Sequence, residues 1–162
     1  VVIETIETAL DLRKANQLKK SNEILLRLVK QNADDAFLNY QCAWSFDVLG
    51  EETKAVPFYE KAIQLGLISK DLEGAFLGLG STYRALGNYE KAKETFLRAI
   101  SIFPDNHAMK TFYAMTLYNL NEHDKAMEIL LTSLINTTSD PTILQYEKAL
   151  RFYSYQLDKT WS

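Results

Sequence analysis

The chain has 162 residues, of which 47% are apolar and 24% are charged, and its formal net charge is −3. This is the composition of an ordinary folded chain, and it argues against disorder or low complexity. Because acidic and basic residues are spread along the sequence, no strong field of one sign favours nucleic acid or an anionic membrane as a partner. No apolar run is long enough to predict a membrane-spanning helix.

The early part of the chain has a local excess of basic residues, whose helical spacing favours solvated faces over a functional basic patch. The residues are Arg13, Lys14, Lys19, Lys20, Arg27 and Lys30. Cys42 is the single cysteine in the sequence. It excludes an intramolecular disulfide and fits a reducing compartment, so we expect a cytoplasmic protein. Its apolar neighbours predict a small buried side chain rather than a nucleophile.

The spacing of apolar residues predicts helices along the whole chain. In chain order they cover residues 3–15, 19–31, 36–49, 52–66, 72–86, 89–102, 106–120, 123–136 and 141–157. Four first helices are predicted to end in the left-handed conformation, at Asn16, Gly50, Gly87 and Asn121. The predicted N-caps are Asp35, Ser69 or Asp71, Asp105 and Asp140, and Pro141 suits a first helical turn.

A fixed period runs through these helices. Ser21, Ala55, Ala92 and Ala126 occupy equivalent positions and are spaced 34, 37 and 34 residues apart. Each begins a helix in which a small residue is set between apolar ones, and another apolar-periodic segment precedes each of them. Such two-helix units cannot bury their apolar faces alone, so they are expected to stack on their neighbours.

Residues 73–106 resemble the tetratricopeptide repeat, whose signature places large and small residues at fixed positions in two helices. The matching residues are Phe76, Leu79, Gly80, Tyr83, Ala92, Phe96, Ala99 and Pro104. Only the first aromatic residue differs from the signature. More narrowly, residues 36–155 look like the bacterial tetratricopeptide group 5. This resemblance implies an architecture and leaves the biochemical activity open.

The implied fold is all-α: a right-handed superhelix of four helix-turn-helix repeats closed by a capping helix. The repeats lie at about residues 2–35, 36–69, 73–106 and 107–140, and the capping helix at about 141–157. We expect residues 1–162 to form a single domain. Ser21 in the first repeat and Leu130 in the fourth depart from the signature, as terminal repeats commonly do.

Three glycines close together, Gly78, Gly80 and Gly87, invite comparison with a phosphate-binding loop. Tyr83 stands where the dinucleotide-binding fingerprint needs its third glycine, and no G-K-[ST] sequence occurs. Gly80 instead matches the repeat signature, and Gly87 ends a helix. Gly78 has no place in the signature, so we expect its missing side chain to leave room beside the groove for a ligand's backbone.

The sequence offers little material for catalysis. His107 and His123 are distant in sequence from each other and from Cys42. They form no metal-binding or nucleophilic motif, and both are expected to be polar cap or surface residues. We therefore predict a protein without a cofactor, a metal ion or enzymatic activity.

The resemblance further implies that the first helices of successive repeats line a concave groove that binds a protein or peptide. Counting around each helix from the signature positions assigns nine residues to this groove: Tyr40, Trp44, Asp47, Leu77, Ser81, Arg84, Thr111, Met115 and Tyr118. Aromatic residues and methionine are common in interaction hot spots and adaptable binding surfaces. An extended or helical peptide is expected there, with Arg84 binding a carboxylate while Trp44 and Tyr118 hold apolar side chains.

A chaperone C-terminal carboxylate is not the expected ligand, because the Lys, Asn and Arg residues of the tetratricopeptide carboxylate clamp are missing. The matching positions hold Ile6, Leu10, Gln41, Gly74 and Gly78. An alternative to peptide binding is self-association as a homodimer. In that arrangement the apolar start VVIETIETAL and the aromatic C-terminal helix bury one another between two chains.

Overall fold

The computed structural model describes residues 4–162, and within that range it contains α-helices and no β-strand. The helices are α1 (Ile6–Lys14), α2 (Leu18–Gln31), α3 (Ala36–Asp47), α4 (Glu52–Leu65), α5 (Ser69–Ala85), α6 (Tyr89–Ile102), α7 (His107–Asn119), α8 (His123–Thr137), α9 (Pro141–Leu144) and α10 (Glu147–Ser154). The all-α prediction is confirmed. Residues 1–3, at the start of the VVIETIETAL segment, lie outside the described range.

The chain forms two compact units, unit 1 (Val1–Asn88) and unit 2 (Tyr89–Ser162). In unit 1 each helix from α1 to α4 packs against the next one, and α3 also contacts α5. In unit 2, α6 packs on α7, α7 on α8, and α8 on α10. Packing between successive helices is the arrangement expected of stacked repeats. The single-domain organisation of residues 1–162 stays a prediction.

Left-handed residues end the first helices of the repeats at the predicted positions. The φ angles are 59° at Asn16, 71° at Gly50, 77° at Gly87 and 61° at Asn121. Glycine adopts this conformation without steric cost, and asparagine is the side chain that tolerates it best. The sequence therefore predicts these four chain reversals correctly.

The predicted N-caps are partly right. The Asp35 side chain accepts a hydrogen bond from the Leu38 backbone N–H at 2.8 Å, and Asp140 accepts one from Thr142 at 2.8 Å. The prediction of Asp105 is wrong, because the next residue, Asn106, caps α7. The prediction of Ser69 or Asp71 is also wrong. Helix α5 starts at Ser69, three residues earlier than predicted, and follows Ile68 without a side-chain cap.

The small anchor residues of the period lie in the cores of the two units. Ser21, Ala55 and Ala92 are fully buried, and Ala126 is 5% exposed. The Ser21 hydroxyl donates a hydrogen bond to the Ala9 carbonyl oxygen of α1 at 2.6 Å, which explains how a serine replaces the usual alanine. A buried hydroxyl without such a partner would destabilise the fold.

The C-terminal segment contains two short helices, α9 and α10, where the apolar pattern predicts one helix over 141–157. The chain turns between them at Gln145 and Tyr146. Ser154 is the only α10 residue recorded as buried within the described range. Because most helical stability in proteins comes from packing an apolar face, a segment that buries so little has less to hold it in one long helix.

Candidate functional site

Trp44 is the exposed aromatic residue of α3 in unit 1. Its side chain is 41% exposed, although α3 is among the most buried helices of the chain. The Trp44 ring stacks on Tyr40, one helical turn earlier, with 6.0 Å between the ring centroids and 25° between the planes. Tyr40 is 8% exposed and lies 6.3 Å from the Tyr59 ring. A buried tyrosine therefore supports one side of an exposed tryptophan.

Arg13 of α1 covers part of the Trp44 ring. Its guanidinium carbon lies 4.1 Å from the ring centroid, which is the geometry of a cation–π contact. The Nη2 atom of Arg13 donates a hydrogen bond to Oε1 of Gln41, also on α3. The Nη1 atom is buried and has no hydrogen-bond partner. We call Arg13, Tyr40, Gln41 and Trp44 the Arg13–Trp44 site.

The charge of Arg13 is not neutralised inside the chain. Within residues 4–162 no carboxylate lies within salt-bridge distance of its guanidinium group. Burial lowers the pKa of Arg13, while the nearby phenols of Tyr40 and Tyr59 oppose that shift. An arginine keeps its proton under all ordinary conditions. The prediction that Arg13 lies on a solvated face is wrong, because this side chain packs on Trp44.

Asp47, at the end of α3, joins three helices of unit 1. The Tyr59 hydroxyl of α4 donates to Oδ2 at 2.6 Å, and the Thr82 hydroxyl of α5 donates to Oδ1 at 2.8 Å. Burial raises the pKa of Asp47, and the hydrogen bonds from Tyr59 and Thr82 oppose this effect. Each carboxylate oxygen thus already accepts a hydrogen bond from a neighbouring helix.

Gly74 and Gly78 of α5 leave space for tyrosine rings. A Cβ atom at Gly78 would collide with the ring and hydroxyl of Tyr59, and one at Gly74 would collide with the Tyr40 hydroxyl. Tyr59 is 2% exposed, so its ring cannot swing aside into solvent. The expectation that Gly78 leaves room for a ligand's backbone is therefore wrong, because Tyr59 fills that space.

The other predicted groove residues lie on α5 and α7. In unit 1, Leu77, Ser81 and Arg84 of α5 are partly exposed. In unit 2, the Thr111 hydroxyl donates to the His107 carbonyl oxygen of its own helix at 2.8 Å. Met115 is 37% exposed and Tyr118 is 63% exposed. The Tyr118 ring stacks on His123 with 4.7 Å between the ring centroids.

The repeat period contains the signal that would have found Arg13. Moving back one period of 34 residues from Asp47 leads to Arg13, and moving forward from Asp47 leads to Arg84 and then to Tyr118. The groove positions were counted only from the second repeat onward, so the first repeat contributed none. Gln41, Tyr59 and Thr82 were also missed, because their part in the site depends on contacts between helices.

A second exposed surface lies at the C-terminal end of unit 2. Tyr146, Phe152 and Tyr153 line a hollow of about 370 Å³ together with Gln145, Lys148 and Ala149. The three aromatic side chains are 60%, 47% and 47% exposed. Trp161 lies against the same group, with its ring centroid 5.9 Å from Phe152 and 5.5 Å from Tyr153. The predicted surplus of apolar side chains on this segment is present.

The residues considered for catalysis are placed apart. Cys42 is fully buried, and burial raises its pKa to about 12, so its thiol is protonated at neutral pH. Nδ1 of His107 lies 3.4 Å from the Ser133 hydroxyl, whereas His123 stacks on Tyr118. Across the described range, no three His, Cys, Asp or Glu side chains come together as a metal-binding group. Nor does any described helix combine the length and apolarity needed to cross a membrane.

Successive helix pairs, buried small anchors and a period of 34 residues define a helical repeat protein. A family model described as Tetratrico peptide repeat matches residues 36–157, and the chain belongs to this tetratricopeptide repeat family. The family predicted from the sequence is thus confirmed. Proteins built this way are in general non-catalytic interaction scaffolds that use extended surfaces for binding.

Known proteins share this architecture at low sequence identity. Superkiller protein 3 of Saccharomyces cerevisiae is 27% identical over 117 residues, which are 68% of this chain and 8% of that protein. The chain therefore spans less than a tenth of that relative. The crystal structure of YrrB, a TPR protein with an unusual peptide-binding site, is 18% identical with a TM-score of 0.72, covering 95% of this chain and 77% of that one. The crystal structure of MamA is 18% identical with a TM-score of 0.73, covering 89% and 86%.

Proposed function

We propose that this chain is a non-enzymatic scaffold that binds a peptide segment of a partner protein on the first-helix face of its repeats. The observation that carries the proposal is the exposed Trp44, supported by Tyr40 and partly covered by Arg13. Tryptophan and arginine are enriched among the residues that dominate binding energy at interfaces. The fold uses such first-helix surfaces for recognition.

The proposed surface of unit 1 extends from Trp44 to Leu77, Ser81 and Arg84 on α5, all partly exposed. Asp47 supports this surface from below, because both of its oxygens are engaged by Tyr59 and Thr82. In unit 2 we propose Thr111, Met115 and Tyr118 as binding residues of α7 in their own right. The exposed methionine and tyrosine offer an adaptable apolar contact and an aromatic anchor.

The test uses the two tryptophans of the chain, of which Trp44 lies in unit 1 and Trp161 in unit 2. Peptides are selected from a random displayed library on the immobilised full chain and then synthesised. In a Trp161→Phe variant, addition of a bound peptide should shift the emission of Trp44. Replacing this hot-spot residue in Trp44→Ala should weaken binding by about tenfold or more.

The matched control is Trp44→Phe, which keeps an aromatic ring and leaves Trp161 as the only reporter. Its emission should not change when the same peptides bind. Peptides that bind Trp44→Ala as tightly as the unaltered chain would contradict the proposed surface, as would a set of peptides that alters only Trp161 emission.

A second candidate function is self-association through the C-terminal surface of unit 2. The observation in its favour is the cluster of exposed aromatic side chains around the hollow at Tyr146, Phe152 and Tyr153. Contiguous exposed apolar patches of this kind mark sites of protein contact. We propose a homodimer as the product of such contact, and the measurement that decides it belongs to the scale of the whole molecule.

A further inference from the structure

We propose that the Arg13–Trp44 site selects partner peptides in which an acidic side chain lies next to an apolar or aromatic one. This inference rests on the proposed function and names the chemistry of the peptide. The sequence pattern assigned carboxylate binding to Arg84, and the structure points instead to Arg13.

The first argument is the charge balance of the site. The Arg13 side chain is partly buried, its Nη1 atom has no acceptor, and its one side-chain acceptor within the described range is the uncharged amide oxygen of Gln41. Removing a charge from water is costly unless a counter-charge or hydrogen bonds replace the lost hydration. A carboxylate from a partner would supply the counter-charge that the chain itself does not.

The second argument is the position of Arg13 over Trp44. With 4.1 Å between the guanidinium carbon and the ring centroid, the cation and the exposed tryptophan form one continuous surface. A peptide that places a carboxylate at the guanidinium edge has its neighbouring side chains within reach of the indole. The planar guanidinium group suits a carboxylate, because it can donate two parallel hydrogen bonds.

The third argument is the placement of the surrounding charges, which orients the acidic residue. Burial raises the pKa of Tyr40, the negative charge of Asp71 raises it further, and Arg13 lowers it. Tyr40 therefore lies under the influence of a cation from α1 and an anion from α5. An acidic side chain is attracted to the α1 side and repelled from the α5 side. The site thus has room for one acidic residue, located at Arg13.

The experiment starts from peptides selected on the full chain. The selected sequences should be enriched in Asp or Glu close to Trp, Tyr, Phe or Leu. Each acidic peptide is compared with a twin in which Asn or Gln replaces the acid, and the acidic form should bind about tenfold more tightly. Its affinity should also fall as salt is added, because the contact is ionic and partly exposed.

The variant Arg13→Met removes the charge and keeps a long side chain over Trp44. It should bind the acidic peptide about tenfold more weakly and bind both twins equally, because the discrimination resides in this residue. Arg13→Lys keeps the charge and should retain much of the preference. Lys14→Met is the matched control, since it removes one positive charge from the adjacent, highly exposed position, where Lys14 pairs with Asp11.

Several results would overturn the inference. If Arg13→Met weakens both twins to the same degree, Arg13 only supports Trp44, and the proposed function survives without the selection for an acid. The same holds if the selected peptides lack acidic residues while still depending on Trp44. A labelled single-stranded oligonucleotide that binds the chain and is released by Arg13→Met would assign the site to a different class of ligand. A library that yields no peptide would contradict the proposed function and this inference with it.

Discussion

Gly78 illustrates how a tertiary contact determines the identity of a single residue. Glycine in the middle of a helix costs about 1 kcal/mol relative to alanine, and the repeat signature does not require it at this position. The Tyr59 ring occupies the place of the absent Cβ, while the Tyr59 hydroxyl binds Asp47 at 2.6 Å. The ring is therefore fixed at both ends, and α5 must accommodate it.

We predict that Gly78→Ala destabilises the protein by about 1–2 kcal/mol. The substitution gains about 1 kcal/mol of helix propensity, but overpacking a closed core typically costs about 1–3 kcal/mol. Urea unfolding followed by circular dichroism would measure the difference. In a Tyr59→Leu background the ring is gone, so Gly78→Ala should cost less or become stabilising.

Ser81→Ala serves as the control, since it lies one turn further along α5 at a partly exposed position. It should change the free energy of unfolding by a few tenths of a kcal/mol at most, as is usual for substitutions away from the core. A Gly78→Ala variant that is more stable than the unaltered chain would show that the Tyr59 ring is free to move.

The sequence predicts the place of Arg13 only through the repeat period, and it does not predict the contact with Trp44. The period assigns Arg13 and Asp47 to equivalent positions, yet one side chain packs on an indole ring and the other accepts hydrogen bonds from two neighbouring helices. Equivalent positions differ in this way because each faces side chains supplied by the next repeat. Single-sequence periodicity carries no information about those facing residues.

At the scale of helices, local chemistry predicts boundaries well where a side chain or a left-handed residue determines the end. Asp35 and Asp140 cap their helices, and Gly87 and Asn121 end theirs with positive φ. The start of α5 was missed because no side chain caps it. The division of the C-terminal segment into α9 and α10 was missed because both halves carry a helical apolar pattern.

The Asp47 contacts between α3, α4 and α5 predict a dependence of stability on pH. Since the folded state raises the pKa of Asp47, it binds the proton more tightly than the unfolded chain. The contribution of this group is fully present below the ordinary aspartate pKa of about 3.9 and is lost as the pH rises through the folded pKa. The variant Asp47→Asn should therefore gain stability relative to the unaltered chain over that interval.

Urea unfolding of both proteins at a series of acidic pH values would give this difference, and the comparison cancels the contributions of the other carboxylates. Nuclear magnetic resonance titration of the Asp47 carboxyl carbon would measure its pKa directly. A value below that of an ordinary aspartate would mean that the hydrogen bonds from Tyr59 and Thr82 outweigh burial, and the sign of the pH effect would reverse.

At the scale of the whole molecule, the C-terminal surface predicts self-association. Tyr153 and Tyr155 are 47% and 63% exposed and lie beside or close to the hollow of unit 2. Light scattering at micromolar concentration should detect a dimer that dissociates in Tyr153→Asp or Tyr155→Asp, because a charge in an apolar interface loses its hydration. Lys14→Met, a change on an exposed face of unit 1, should leave the dimer intact. A clean monomer before any substitution would exclude this candidate.

The match between Gly78 and Tyr59 bears on how far such repeats can be exchanged. A helix of one repeat lacks a side chain where an aromatic ring of the preceding repeat projects, so the two positions form a complementary pair encoded in different repeats. Replacing either repeat with a consensus copy would leave a clash or a void at this junction. A protein engineer who rearranges, deletes or duplicates these repeats should therefore cut within a repeat and keep each glycine with its tyrosine. The natural unit of inheritance in this array is the junction rather than the repeat.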